Sequence, residues 1–173
     1  MRYLIPLLCF ILLLNCKSEK QDTDEQTLVK LDTTAITQED LDAIKYIDFG
    51  LDSKAKYTVE SWTTFSIISR AIERAKKNDF EVFTADDEVF NTMIVDAQRT
   101  IPIKISSEPI KARLLILKTK LLKFRALLNL KTSTKADLLE GLQELFQSYS
   151  YLILQINKKF EKEAQEIIKP KVL

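Results

Sequence analysis

The side chains able to do chemistry in this chain are two thiols, a set of carboxylates and a run of cations, because histidine is absent. Cys9 and Cys16 lie in or at the end of an N-terminal apolar run, and the rest of the chain has no cysteine. Without an imidazole there is no Ser-His-Asp or Cys-His nucleophile pair, no His-containing zinc site and no Glu-x-x-His di-iron bundle. With both thiols at the N-terminus, no disulfide framework or iron-sulfur cluster can form in the body of the protein. Two carboxylates of separated pKa can still run acid/base hydrolysis, and the densest acidic cluster is Asp86, Asp87 and Glu88. That cluster opens a predicted helix, where the dipole favours negative charge whatever the function. No calcium loop of the D-x-D-x-D-G kind is present, and the pattern calls for no cofactor.

The cations are more unevenly placed. Lys104, Lys111, Arg113, Lys118, Lys120, Lys123, Arg125, Lys131 and Lys135 are interrupted by a single acid, Glu108. On a helical wheel Lys111, Lys118 and Arg125 line one border of an apolar seam, and Arg113 and Lys120 the other. Their stems can cover apolar surface while their heads meet water or the acids Asp137, Glu140 and Glu144. Alternatively they form a binding face for an anionic lipid headgroup, a polysaccharide or an acidic envelope protein. Lysine plus arginine number 26 against 25 aspartates and glutamates, so no global charge points to nucleic acid.

The elements that must hold these residues are helices. Two glycines and four prolines in 173 residues are too few for the turns of a sandwich or barrel. Thr37, with Asp40 three residues on, predicts a capped short helix with Leu41, Ile44 and Ile47 (or Asp48) on one modest apolar stripe, ended by Gly50. Phe65, Ile68, Ile72 and Ala75 predict a helix over about 58–77, with Trp62 at the edge of its stripe and Asn78 and Asp79 at its stop. Thr84 is the expected cap of the next helix, and Val89, Phe90, Met93, Ile94 and Ala97 its buried face. Pro102 turns the chain into an extended connection. Ser106 or Ser107 then caps a helix on which Ile110, Leu114, Leu117, Leu121, Phe124 and Leu128 alternate steps of four and three. Leu115, Ile116, Leu122 and Leu127 lie on its other faces, which predicts a central helix with several neighbours.

Ser133 or Thr134, with Asp137, caps the last helix, whose stripe runs through Leu138, Leu142, Leu145, Tyr149, Leu152, Ile156, Phe160 and Ile167. Tyr151 and Leu154 point away from that stripe, toward a second helix or a partner. The expected fold is therefore all-α, a bundle of four to five helices over 37–173 with a long C-terminal antiparallel hairpin.

The first fifteen residues carry one cation, Arg2, and an apolar run from Tyr3 to Leu14 that is too short to span a bilayer, as in a secretory signal. At its end Leu13, Leu14, Asn15 and Cys16 resemble the lipobox of bacterial lipoproteins. Leu13 stands where that pattern has leucine and Cys16 where it has the modified cysteine. Asn15 replaces the usual glycine, alanine or serine, within the looser pattern of the Bacteroidota. The resemblance implies removal of residues 1–15 and acylation of Cys16, with two or three chains holding the protein stably on a membrane. Lys17 in place of aspartate implies the outer rather than the inner membrane and leaves both faces of that membrane open. Residues 16–36, acidic and without periodicity, are then a tether.

With its helical body, the chain is similar to small all-helical lipoproteins of the Bacteroidota, which carry over no activity. The expected function is non-catalytic binding or scaffolding in the cell envelope, with the membrane as one partner through the anchor. The alternatives are a carboxylate-based hydrolase and an immunity or inhibitor-type lipoprotein.

Overall fold

The computed structural model of the chain describes residues 35–165. The signal segment, Cys16, nearly all of the tether, and Ile167 lie outside the described residues. Within them the chain is all-α: α1 Gln38–Asp42, α2 Ser53–Glu60, α3 Thr63–Ala75, α4 Glu81–Thr84, α5 Asp87–Arg99, α6 Glu108–Asn129 and α7 Lys135–Ala164. The expected C-terminal hairpin is α6 packed along α7. Seven helices appear among the described residues where four to five were expected, for reasons local to each break.

The helix expected over 58–77 is divided into α2 and α3 at Ser61 and Trp62. Thr58, Ser61, Thr63 and Thr64 crowd this junction with poor helix formers. Trp62 leaves helical geometry (φ −88°, ψ 77°) and turns fully inward to stack on Phe65 at 4.6 Å. At the far end Asn78 takes a left-handed conformation (φ 61°). Across it the Asp79 N–H donates back to the Arg74 carbonyl, a helix stop of the kind asparagine tolerates.

Thr84 does not cap the next helix. It closes the single turn of α4, which sinks Phe83 into the core, and Asp86 stands at the N-terminus of α5. Val89, expected in the core, faces solvent, while Phe90, Met93, Ile94 and Ala97 are buried. Val89 stands about 100° from Phe90 on the helical wheel, outside the arc that Phe90, Met93, Ile94 and Ala97 share. Likewise α1 stops at Asp42 and not at Gly50, and Ile47 is exposed.

The hairpin is specified at both ends. Thr134 and Asp137 form the expected capping box at the start of α7, and the Ser133 hydroxyl donates to the Leu127 carbonyl to close the turn. Gly141 of α7 faces Leu127 and Phe124 of α6. A Cβ placed there would lie 2.7 Å from a terminal methyl of Leu127 and 3.5 Å from the Phe124 ring. Leu127 can yield to a single methyl, and alanine also gains about 1 kcal/mol of helix propensity. A leucine cannot be so accommodated: Gly141→Leu is expected to lower stability by about 1–3 kcal/mol through overpacking, measurable by urea denaturation, with Gly141→Ala close to neutral.

Residues 45–52 are laid along α7 and fastened by three of its side chains. Gln143 donates to the Lys45 carbonyl at 3.1 Å. Ser150 accepts from the Phe49 N–H at 2.8 Å and donates to the Ile47 carbonyl. Asn157 accepts from the Asp52 N–H at 2.9 Å and donates to the Gly50 carbonyl at 2.8 Å. The three anchors stand seven residues apart, about 10 Å of helix per step. Three residues of extended chain cover the same distance, so the strap and the helix share a repeat.

Asp40 joins α1 to the start of α7. Its carboxylate is held down to about 2 by the hydrogen bond from Lys135 and by the Thr37 N–H. Because the folded value lies below the unfolded one, this contribution is present above pH 4 and lost as the pH falls toward 2. Acid unfolding of Lys135→Met is expected to lose part of that dependence, a shallower decline of stability between pH 4 and 2 in a denaturant series.

Candidate functional site

The basic helix divides by what each cation meets. Arg125 is nearly buried and belongs to the fold. Its guanidinium donates to the Phe83 carbonyl at 3.2 Å, the Ala85 carbonyl at 2.6 Å and Asp87 at 2.6 Å. It also lies 4.6 Å from the centre of the Phe90 ring. In this way it ties α4 and the start of α5 to α6.

The other cations remain near the surface. Lys120 and Lys123 share one carboxylate, Glu144 of α7, at 3.2 and 2.6 Å. The Lys123 hydrogen bond pulls the Glu144 pKa down against its partial burial, with Lys120 adding to it. Among the described residues Lys111 meets only Glu108 of its own helix. Arg113 lies over the Tyr151 ring at 5.6 Å, and Lys118 reaches the Gln98 amide at 3.4 Å. Among the described residues four of the six cations of α6 therefore pair with three carboxylates, Glu108, Glu144 and Asp87, and Arg113 and Lys118 pair with none.

Opposite the buried seam of α6 runs a second apolar sector. Ile110, Leu114, Leu117, Leu121 and Phe124 are buried on the inner side as expected. On the outer side Ala112, Thr119 and Ala126 are exposed, with Leu115 at 54%, Ile116 at 42% and Leu130 at 54%. The helix expected to be central is thus covered on one side by α7 and on the other by α4 and α5, and its outermost face is left bare.

A cleft of about 600 Å³ lies on another part of the surface. The strap at 48–51 forms one wall, and Lys56, Val59 and Glu60 of α2 another. Ser66, Ser69, Arg70 and Glu73 of α3 and Tyr149 and Ile153 of α7 complete it. An aromatic column supports the base, Trp62 on Phe65 and Phe65 on Tyr149 at 5.9 Å. Burial pushes the Tyr149 hydroxyl up from its ordinary pKa, with the Ser69 hydroxyl beside it working the other way. Asp48 and Glu73 both bind Lys76 at 2.8 Å. Burial opposes the charge on Lys76, and these carboxylates with the Tyr46 hydroxyl outweigh it, so its pKa rises.

No run of residue types marks this cleft in the sequence, because it is assembled from a strap and three helices. The one available signal was the spacing of Gln143, Ser150 and Asn157 along the flank of the α7 stripe.

The acidic cluster is dispersed by the fold. Asp86, Asp87 and Glu88 are exposed, and Asp87 is taken up by Arg125. The carboxylates with displaced pKa, Asp40, Asp52, Asp79, Asp137 and Glu144, are all displaced downward. They are held there chiefly by Lys135, the Lys54 N–H, Arg74, the Thr134 N–H and Lys123 respectively. Among the described residues no group of three or more acidic or cysteine side chains is placed to hold a metal ion, and no helix is long and apolar enough to cross a membrane. No protein-family model, curated protein or solved structure matches the chain.

Proposed function

We propose that this chain is a lipid-anchored cell-envelope protein, on the outer rather than the inner membrane, whose helical domain binds or scaffolds and performs no reaction of its own. The lipobox-like Leu13–Cys16 segment supports the anchor. The binding role is carried by one observation: α6 presents more cations than the carboxylates around it neutralise, beside aliphatic side chains left in water. Exposed apolar surface rimmed by charge of one sign marks a contact.

The hydrolase reading has less support. General acid catalysis by a carboxyl group needs a pKa raised toward neutrality, whereas the displaced carboxylates here are lowered by hydrogen bonds and cations.

The test is mass spectrometry of the protein recovered from membranes. Cleavage before Cys16 and an acylated N-terminal cysteine are expected; a free Cys16 or cleavage elsewhere overturns the anchor. A crosslinked pull-down from intact envelopes tests the binding role. Neutralising Lys111, Arg113 and Lys118 together is expected to reduce what is captured, and unchanged capture counts against this face.

A further inference from the structure

We propose that the outward face of α6 rests on an anionic lipid bilayer, its aliphatic side chains entering the headgroup region while the flanking cations pair with lipid phosphates. The inference rests on the anchored reading, which places the domain beside a membrane, and names what the basic helix touches there. From Ala112 to Leu130 the bare sector is a ridge of roughly 27 Å. It carries Ala112, Leu115, Ile116, Thr119, Ala126 and Leu130, all exposed.

Cations stand on both sides of this ridge. Lys111 and Lys118 border it toward α5 and Lys120 and Arg113 toward α7, while Lys123 stands within it between Thr119 and Ala126, its head drawn to Glu144. Long cationic stems beside aliphatic residues let the heads stay at phosphate level while the apolar atoms go deeper. The charge that remains after pairing is positive, which selects an anionic surface over a neutral one.

Other occupants fit less well. A second copy docked face to face through this ridge would bring the same surplus cations together, a repulsion that nothing on the ridge relieves. A protein partner is usually gripped by a central cluster of anchors in a pocket. Here the aliphatic side chains lie along the outer side of one helix, broken by Lys123, the form suited to a flat, deformable surface.

The test uses the chain from residue 16 onward with Cys16→Ser, so that no acyl chain contributes; it contains the whole helical body over 35–165. Flotation is measured with vesicles of phosphatidylethanolamine and phosphatidylglycerol, and with phosphatidylcholine alone. Binding to the anionic vesicles is expected, with a loss of at least about tenfold on raising salt well above physiological strength. Lys111→Gln, Arg113→Gln and Lys118→Gln together are expected to weaken it on the order of 100-fold, and Leu115→Ser with Ile116→Ser about tenfold.

Circular dichroism checks that the variants keep their helices; for one that does not, the salt and lipid arms on the unmutated face decide. No flotation, equal flotation with neutral vesicles, or folded variants that bind undiminished each overturn the proposal. Because the acyl group is absent, such failure leaves the N-terminal mass result standing by itself.

Discussion

Phe124→Ala is expected to lower the free energy of unfolding by roughly 3–5 kcal/mol, a large share of the roughly 5–15 kcal/mol that holds a domain of this kind together. Phe124 is fully buried and meets three parts of the chain at once. Phe80 and Phe83 approach its ring edgewise at 5.5 and 5.1 Å. On the other side lies the close approach of α7 at Gly141.

Truncation would remove the apolar transfer energy of the ring and leave a cavity bordered by other rings that cannot collapse into it. Urea midpoints of the variant and parent give the difference directly. A loss below about 1 kcal/mol would mean that the α4 turn refolds around the vacancy and that the cluster is not the centre of the core.

Arg125→Ala is the second large effect, expected at about 2–4 kcal/mol. Removing the guanidinium strands the Phe83 and Ala85 carbonyls in a partly buried place and uncovers the Phe90 ring. Arg125→Lys is expected to recover only part of the loss, since an ammonium cannot reproduce the planar fork that reaches two carbonyls and Asp87 together. Lys111→Ala on the same border of the helix is expected within about 0.5 kcal/mol, because its only ionic contact is an exposed pair within the helix. The same denaturation series measures all three. If Arg125 and Lys111 behaved alike, the division of the basic helix into a structural and a free part would be wrong.

That division marks the limit of what periodicity can tell. Lys111, Lys118 and Arg125 occupy one border of α6 in steps of seven, and nothing in the spacing separates them. Only the position of the Phe83 and Ala85 carbonyls does, and those belong to a four-residue helix and its C-cap, too short to leave a periodic trace. Long features were legible: the capping boxes at Thr37 and Thr134, the α6 seam, and most of the α7 stripe, because each repeats or pairs over short sequence distances.

Breaks were not legible. The junction at Trp62 follows from a side chain that gains more by turning inward than the helix gains by continuing. The start of α5 at Asp87, two residues later than a Thr84 cap implies, follows from the α4 turn that sinks Phe83. The outward apolar sector of α6 was visible as Leu115 and Ile116 on the wrong side of the wheel. Its exposure depends on where α5 and α7 end up. The cleft depends on the strap, which has no regular pattern of its own.

The strap along α7 sets an order of assembly. Its hydrogen bonds join residues 98 to 107 positions apart, whereas α6 and α7 meet across a turn of a few residues. Closing the longer loop costs more chain entropy before any contact rewards it. The hairpin can therefore form as a nucleus, and the strap is free to dock late and lift first. Loss of a strap anchor, as in Ser150→Ala, should then show mainly as faster unfolding with little change in refolding rate. The first part of the native domain to be synthesised would be the last to find its place.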